Sequence, residues 1–131
     1  MGDRIGSCWK AGVAVVTVLV PIRIEPSLNL REHWRKRANR NTSHRAAAFF
    51  ALKAAVKKFD PAIIPCVVTI TRIAPRELDD DNLAGGCKSL RDGTADWLAV
   101  DDRDPRVQWR YAQRKGEPKQ YAAEIRIEAK A

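Results

Sequence analysis

Histidine is almost absent from this 131-residue chain, and cysteine is scarce. The two histidines, His33 and His44, lie eleven residues apart, which matches neither turn of a zinc-binding helix. The three cysteines, Cys8, Cys66 and Cys87, are odd in number, far apart and form no C-x-x-C pair. Neither a disulfide framework nor a zinc site is indicated, and a reducing cytoplasm is the compartment that fits. Long hydrophobic runs are missing as well. AGVAVVTVLV, residues 11 to 20, is too short to span a bilayer as a helix. It lacks the small-residue cleavage site of a signal peptide, so no membrane partner is expected. No repeat or low-complexity tract occurs, which argues against a solenoid and against disorder. Acids are the other shortage: Lys and Arg number 24 against 16 Asp and Glu, a net charge of +8. Such a surface calls for an anionic partner, nucleic acid before any other.

What is present reads as one domain with one core. Residues 1 to 12 carry no pattern and are expected to be a loose extension, leaving 13 to 131 as the folded unit. The β-branched run from 13 continues to alternate through Ile22 and Ile24, predicting a buried strand over 13–24. Pro26, Ser27 and Asn29 make a loop. A basic segment follows, with Arg31, Arg35, Lys36, Arg37, Arg40 and Arg45 against the single acid Glu32. Ser43 has the chemistry of an N-cap, and Phe49, Leu52, Val56 and Phe59 recur at helical spacing until Asp60-Pro61 stops the helix. IIPCVVTITRI, 63–73, predicts a second buried strand. A helix is expected from about Asn82 to Leu98, then strands over RVQWRYAQR and YAAEIRIEA joined as an antiparallel hairpin. The order β-α-β-α-β-β predicts an α+β domain, a mixed sheet covered by two main helices.

The acids are concentrated. Nine of the sixteen lie between Glu77 and Asp104, against three bases, Lys88, Arg91 and Arg103. In LDDDNL, Asp79 and Asp81 are two apart, so on an extended segment both point one way while Asp80 points the other. Carboxylate oxygens suit a hard divalent cation such as Mg²⁺. Asp101 and Asp102, beyond the helix, are able to return to the same place. Along that helix Leu83, Cys87, Leu90, Thr94 and Trp97 form a core stripe, whereas Asp81, Gly85, Lys88 and Asp92 share another face. Lys88 thus projects on the side of Asp81, where an ammonium can offset charge developing on a phosphate. The alternative is a solvated acidic turn that caps a helix, although three adjacent aspartates exceed what a cap requires. An EF-hand is not indicated, because the D-x-D-x-D-G spacing is missing.

LDDDNL, a lysine-bearing helix and then VDD resemble the RusA family of Holliday-junction resolvases, over about Leu78 to Val107. A weaker likeness extends over SLNLREHWRKR, so roughly half the chain is covered. The resemblance implies a Mg²⁺-dependent homodimeric nuclease acting on branched DNA. It places the family's D-x-D-N on Asp79, Asp81 and Asn82 and its later aspartate on Asp102. The family's lysine usually stands four residues after the second aspartate. That position is Gly85 here, and Lys88 stands seven after, on the same helical face one turn on.

Arg31, Arg35, Lys36, Arg37 and Arg40 are the expected phosphate contacts. Arg110 joins them, on the basic face of the strand in which Arg106, Gln108, Arg110, Ala112 and Arg114 alternate with apolar residues. Trp34 either stacks on a base or packs under the adjacent loop, while Trp97 and Trp109 read as core. A nucleic-acid-binding protein with a degenerate site and a metal-stabilised scaffold without activity are the rival readings.

Overall fold

Apolar residues recur at every second position along much of four strands, and that alternation decides which face of the sheet is covered. A computed structural model describes residues 5–10, 13–24, 34–56 and 63–130. Its elements are β1 (Ile5–Lys10), β2 (Val13–Val20), α1 (Trp34–Ala55), β3 (Cys66–Ala74), α2 (Asp80–Leu98), β4 (Val107–Lys115) and β5 (Ala122–Ala129). The five strands form one mixed sheet in the order β1-β2-β5-β3-β4. Register aligns Val18 with Ile125 and Ile125 with Ile70, so one face carries Val16, Val18, Val20, Cys66, Val68, Ile70, Ile125 and Ile127, all buried. Ala48 and Leu52 of α1 and Leu83, Cys87, Leu90, Trp97 and Leu98 of α2 close the same core. Burial pushes the Cys66 thiol up to about 11 and that of Cys87 up to about 12, so both stay protonated and inert at neutral pH.

The β-α-β-α-β-β order holds from residue 13 onward, and three expectations need correction. Residues 5–10, expected within a loose extension, form β1, antiparallel to β2. The first strand is shorter than 13–24, ending before Pro21, which has no N–H to extend a ladder. β4 and β5 are not a hairpin: β4 pairs in parallel with β3, and β5 pairs antiparallel with β3 on its other side. The helix between β3 and β4 makes them a crossover unit, so β4 has its partner before the chain reaches β5. The 116–121 connection then passes the end of β3, where the Gly116 N–H donates to the Ala74 carbonyl at 2.9 Å. A Cβ at Gly116 would stand 2.9 Å from Gln120 Oε1 and 3.1 Å from Ile73 Cγ2, so no larger residue fits that turn without displacing a neighbour.

α1 is also longer than expected. It starts at Trp34 and takes in most of the basic segment, leaving Ser43 in mid-helix with no capping role. Arg31 and Phe59 lie outside the described residues. The helix is held by its second half. Ala48 is fully buried, and the Arg45 guanidinium forks onto the Asp96 carboxylate at 2.7 and 2.8 Å, a pairing that holds Asp96 below the usual carboxylate range. Between these contacts Gly93 lets the two helices touch: a Cβ there would run into the Arg45 carbonyl and come within 2.9 Å of Ala48 Cβ. Gly93→Ala would gain helix propensity but must push α1 away. The overpacking should dominate, destabilising the fold by about 1–3 kcal/mol in urea unfolding.

Candidate active site

Asp79 is not part of an extended run with Asp81, as alternation alone suggested. It is the N-cap of α2, with Oδ1 accepting from Asn82 N–H at 2.9 Å and from Asn82 Nδ2 at 2.8 Å. Asn82 is buried and thereby orients the Asp79 carboxylate, leaving Oδ2 as an oxygen donor. Asp80 and Asp81 form the first helical turn and are exposed. Their charges sit where the helix dipole favours them. The segment leading in is clamped by Gln113 of β4, whose side-chain amide accepts from Leu78 N–H at 2.8 Å and donates to the Leu78 carbonyl at 2.7 Å. The nearly buried Arg72 donates to the Arg76 carbonyl of the same connection and to that of Ile24. Neither clamp has a signal in the sequence, since each joins residues whose approach depends on the sheet.

α2 runs unbroken through Gly85 and Gly86. The core stripe Leu83, Cys87, Leu90, Thr94 and Trp97 is buried as expected, and Lys88 is exposed on the other face. Its Nζ lies 3.5 Å from Asp92 Oδ1 and 3.7 Å from Asp102 Oδ2. Asp102, beyond the C-terminal end of α2, is therefore folded back along the helix to Lys88. Asp81 stands about 10 Å from Lys88 along the axis by helical rise. Among the described residues no group of three or more acid, histidine or cysteine side chains converges to hold an ion. Asp79 and Asp81 thus stand at the start of α2, as its cap and in its first turn, whereas Asp102 lies beside Lys88. Oxygen-only donors fit a hard cation such as Mg²⁺.

The Asp102 turn is held by residues that the motif reading passed over. Its carbonyl accepts from Arg91 Nη2 at 2.7 Å and from Trp109 Nε1 at 3.1 Å. Arg91 also donates to Tyr111 Oη at 3.1 Å and lies 4.9 Å over the Trp109 ring. Arg91 flanks the core stripe, four residues after Cys87 and three before Thr94, and that border position was the available signal. Asp101 Oδ1 accepts from Arg103 N–H at 2.8 Å, which keeps the Asp101 carboxyl below its usual range with help from the Asp102 side chain.

The basic segment is brought to the acids, and Arg110 is not. Asn41, Thr42 and Arg45 of α1 line one groove of about 240 Å³ with Gly85, Lys88, Ser89 and Asp92 of α2, and further along Arg45 meets Gly93 and Asp96. Contacts advance in the same direction on both helices, so these run broadly parallel. The half of α1 carrying exposed Arg35, Lys36 and Arg37 and half-buried Arg40 therefore lies toward the end of α2 that carries Asp79–Asp81. Trp34 is exposed at the start of that half, with the Arg35 guanidinium 5.3 Å over its ring. Arg110 pairs in register with Thr69, and alternation puts both on the sheet face opposite the helices. That is the basic face which the alternation gave it, on the other side of the sheet from α2. Trp97 is core, and Trp109 is partly buried against it.

No family model matches the chain, and no curated protein does. Among solved structures it is similar to a thiamine monophosphate kinase from Aquifex aeolicus, at 9% identity and a TM-score of 0.47, over 99% of this chain and 38% of the kinase. It is also similar to a Thermus thermophilus protein at 14% identity and a TM-score of 0.38, over 98% of this chain and 36% of that one. The chain thus spans well under half the length of these neighbours. Among the described residues no helix is long and apolar enough to cross a membrane.

The turn after Asp102 provides a test in acid. Arg106 donates to Asp104 from its side chain, with Nη2 at 2.7 Å, and from its backbone N–H at 2.9 Å, holding the Asp104 carboxyl down at about 2. A carboxyl depressed in the folded state stabilises the fold above its ordinary value near 3.8. That contribution is lost as pH falls from about 4 through 2. Asp104→Asn should flatten the fall of melting temperature with pH over this window, relative to the wild type.

Proposed function

We propose that the chain is a Mg²⁺-dependent endonuclease of the RusA type, cutting branched DNA by phosphodiester hydrolysis. The observation that carries this reading is the parallel packing of α1 on α2, which sets a basic helix half beside an acidic helix start. Among the described residues the first turn of α1 carries Arg35, Lys36 and Arg37 and no acid, a run of cations along which a phosphate backbone could lie. Asp79, Asp81 and Asp102 would be the donors for the cation, which requires Asp102 to leave Lys88 and approach the start of α2 on binding. Magnesium, when bound, supplies an activated water and charge for the leaving oxygen. Lys88 turns from Asp102 to the phosphate, while Asn82 keeps Asp79 oriented. A two-fold homodimer would present two such sites to the two symmetry-related strands of a four-way junction.

Incubation with a synthetic four-way junction, with and without Mg²⁺, is the direct test, and paired nicks only with the ion are expected. Asp81→Asn should abolish cutting and leave junction binding intact or tighter, since one charge facing phosphate is gone. Cutting by that variant at the wild-type rate would remove Asp81 from the site. If the protein binds junctions with a steep salt dependence and never cuts, the rival reading of a binding protein with a degenerate site stands instead. The position of Gly85, where the family's lysine usually stands, is what favours that rival.

The displaced lysine is separately testable. Lys88→Ala should slow cleavage on the order of a hundredfold with little change in junction affinity. Adding Gly85→Lys to that variant should recover part of the rate in single-turnover assays, because the ammonium returns to the same face one turn earlier. No recovery, together with a normal rate for Lys88→Ala alone, would strike the lysine from the mechanism and leave the aspartates.

A further inference from the structure

β3 and β4 end together: Ala74 and Lys115, the last residues of the two parallel strands, stand in register. From there the chain diverges, through residues 75–78 into α2 and through 116–121 toward β5. Between these two exits lies a pocket of about 390 Å³, within the size range of small-ligand sites. Crevices outside the carboxyl ends of parallel strands are where open sheets take their ligands. Arg72, Arg76, Arg114 and Lys115 line this one, against the single acid Glu77. Pairing absorbs little of that charge. Arg114 reaches the Glu124 carboxylate only at 3.5 Å, and among the described residues Arg76 and Lys115 have no ion-pair partner. The walls are fixed. Nearly buried Arg72 donates to the Arg76 and Ile24 carbonyls, and Gln113 holds Leu78 by both ends of its amide. The Gly116 N–H ties the other exit to the Ala74 carbonyl. Cations held together on such a frame repel one another, and an anion between them relieves the repulsion.

We infer that this pocket takes a phosphate of the nucleic-acid strand, one neighbouring the phosphodiester that lies at the aspartates. The inference rests on nucleic acid being the ligand in the proposed function, but on neither the metal nor the cutting. Glu77, in the wall of the pocket, is two residues from Asp79, the N-cap of α2. A strand approaching Asp79, Asp80 and Asp81 meets their repulsion and needs cations close by to hold it. The basic half of α1 supplies one set, and the end of the parallel strands supplies a second. The planar guanidiniums of Arg76 and Arg114 suit phosphate oxygens, and Lys115 adds a point charge. Glu77 is the one lining group that opposes such a ligand. None of these residues belongs to LDDDNL or VDD, so the pocket is a property of the fold.

The test measures binding of a fluorescein-labelled four-way junction to the full chain by anisotropy, in EDTA and over a series of salt concentrations. Arg76→Gln combined with Lys115→Gln should weaken binding several-fold. It should also reduce the slope of log affinity against log salt by about 1, the share of one phosphate. Both residues are exposed, so the melting temperature of the double variant should match that of the wild type. Glu77→Gln should tighten binding, a gain that misfolding cannot produce. Arg126→Gln removes a cation from the outer sheet face, where Arg126 pairs with Glu128, and should leave the slope unchanged. Wild-type slope and affinity in the double variant, or an equal loss in Arg126→Gln, would overturn the role of the pocket and leave nucleic acid as the ligand. A wild type whose junction binding shows no salt dependence, or that binds no junction, would overturn the nucleic-acid reading and this inference with it.

Discussion

Parallel pairing of β3 with β4 is the constraint on which the candidate site depends. Two adjacent parallel strands oblige the chain to return the length of the sheet between them. A nine-residue strand covers about 30 Å, and the nineteen residues of α2 cover about 28 Å. The helix is matched to the strand it crosses, so its two ends, each bearing aspartates, fall at opposite ends of the sheet. Bringing them onto one surface therefore requires a turn that doubles back. Ala99 supplies it by adopting a left-handed conformation, φ 59° and ψ 40°, and its N–H closes onto the last helical carbonyls. Asp101 and Asp104 then each accept a backbone N–H two residues on, and the chain arrives at Lys88 rather than running off into solvent.

Polar side chains are costly to bury unless they are bonded, and the places where this fold buries them are informative. Among the described residues Arg72, Asn82, Ser89 and Thr94 are the buried polar ones. Thr94 returns its hydroxyl to the Leu90 carbonyl within α2. Arg72 and Asn82 instead hold the β3–α2 connection, one through the Arg76 carbonyl and the other through the Asp79 carboxylate. Gln113 adds a bidentate clamp on Leu78. Polar side chains thus fix the backbone that leads into the exposed carboxylates of Asp79, Asp80 and Asp81.

Much of this was legible in the sequence, and the failures share one cause. The apolar runs and alternation found β3, β4 and β5 and the covered face of β4, and the 3.6-residue period found α2 with both of its stripes. Pairing partners are not local. VQWRYAQRK and AAEIRIEA, separated by a short Gly- and Pro-containing link, satisfy every local sign of a hairpin. Only the crossover through α2, which gives β4 to β3, shows otherwise. The same non-locality hid Gln113 on Leu78 and Arg91 on Asp102. Ser43 misled for a different reason. Its capping chemistry is real, but Arg, Lys and Ala before it are adequate helix formers, so packing of Ala48 and Leu52 carries the helix through it. IGSCWK shows no usable alternation, and β1 exists by pairing with β2 rather than by its own pattern.

The two helices are opposites in how they treat their own dipoles, and together they define a direction. α2 begins with Asp79, Asp80 and Asp81, the arrangement that an isolated helix prefers. Among the described residues α1 opens on Arg35, Lys36 and Arg37 with no acid in its first turn, where the dipole favours the opposite sign. Its stability comes from the other half, from Ala48 at Gly93 and from Arg45 on Asp96. Because the helices run broadly parallel, the basic end of one lies toward the acidic end of the other. Exposed charges of both signs at one end of a helix pair suit a ligand that carries its own negative charge and recruits a cation. A phosphodiester backbone with a divalent ion is the ligand of the function proposed above.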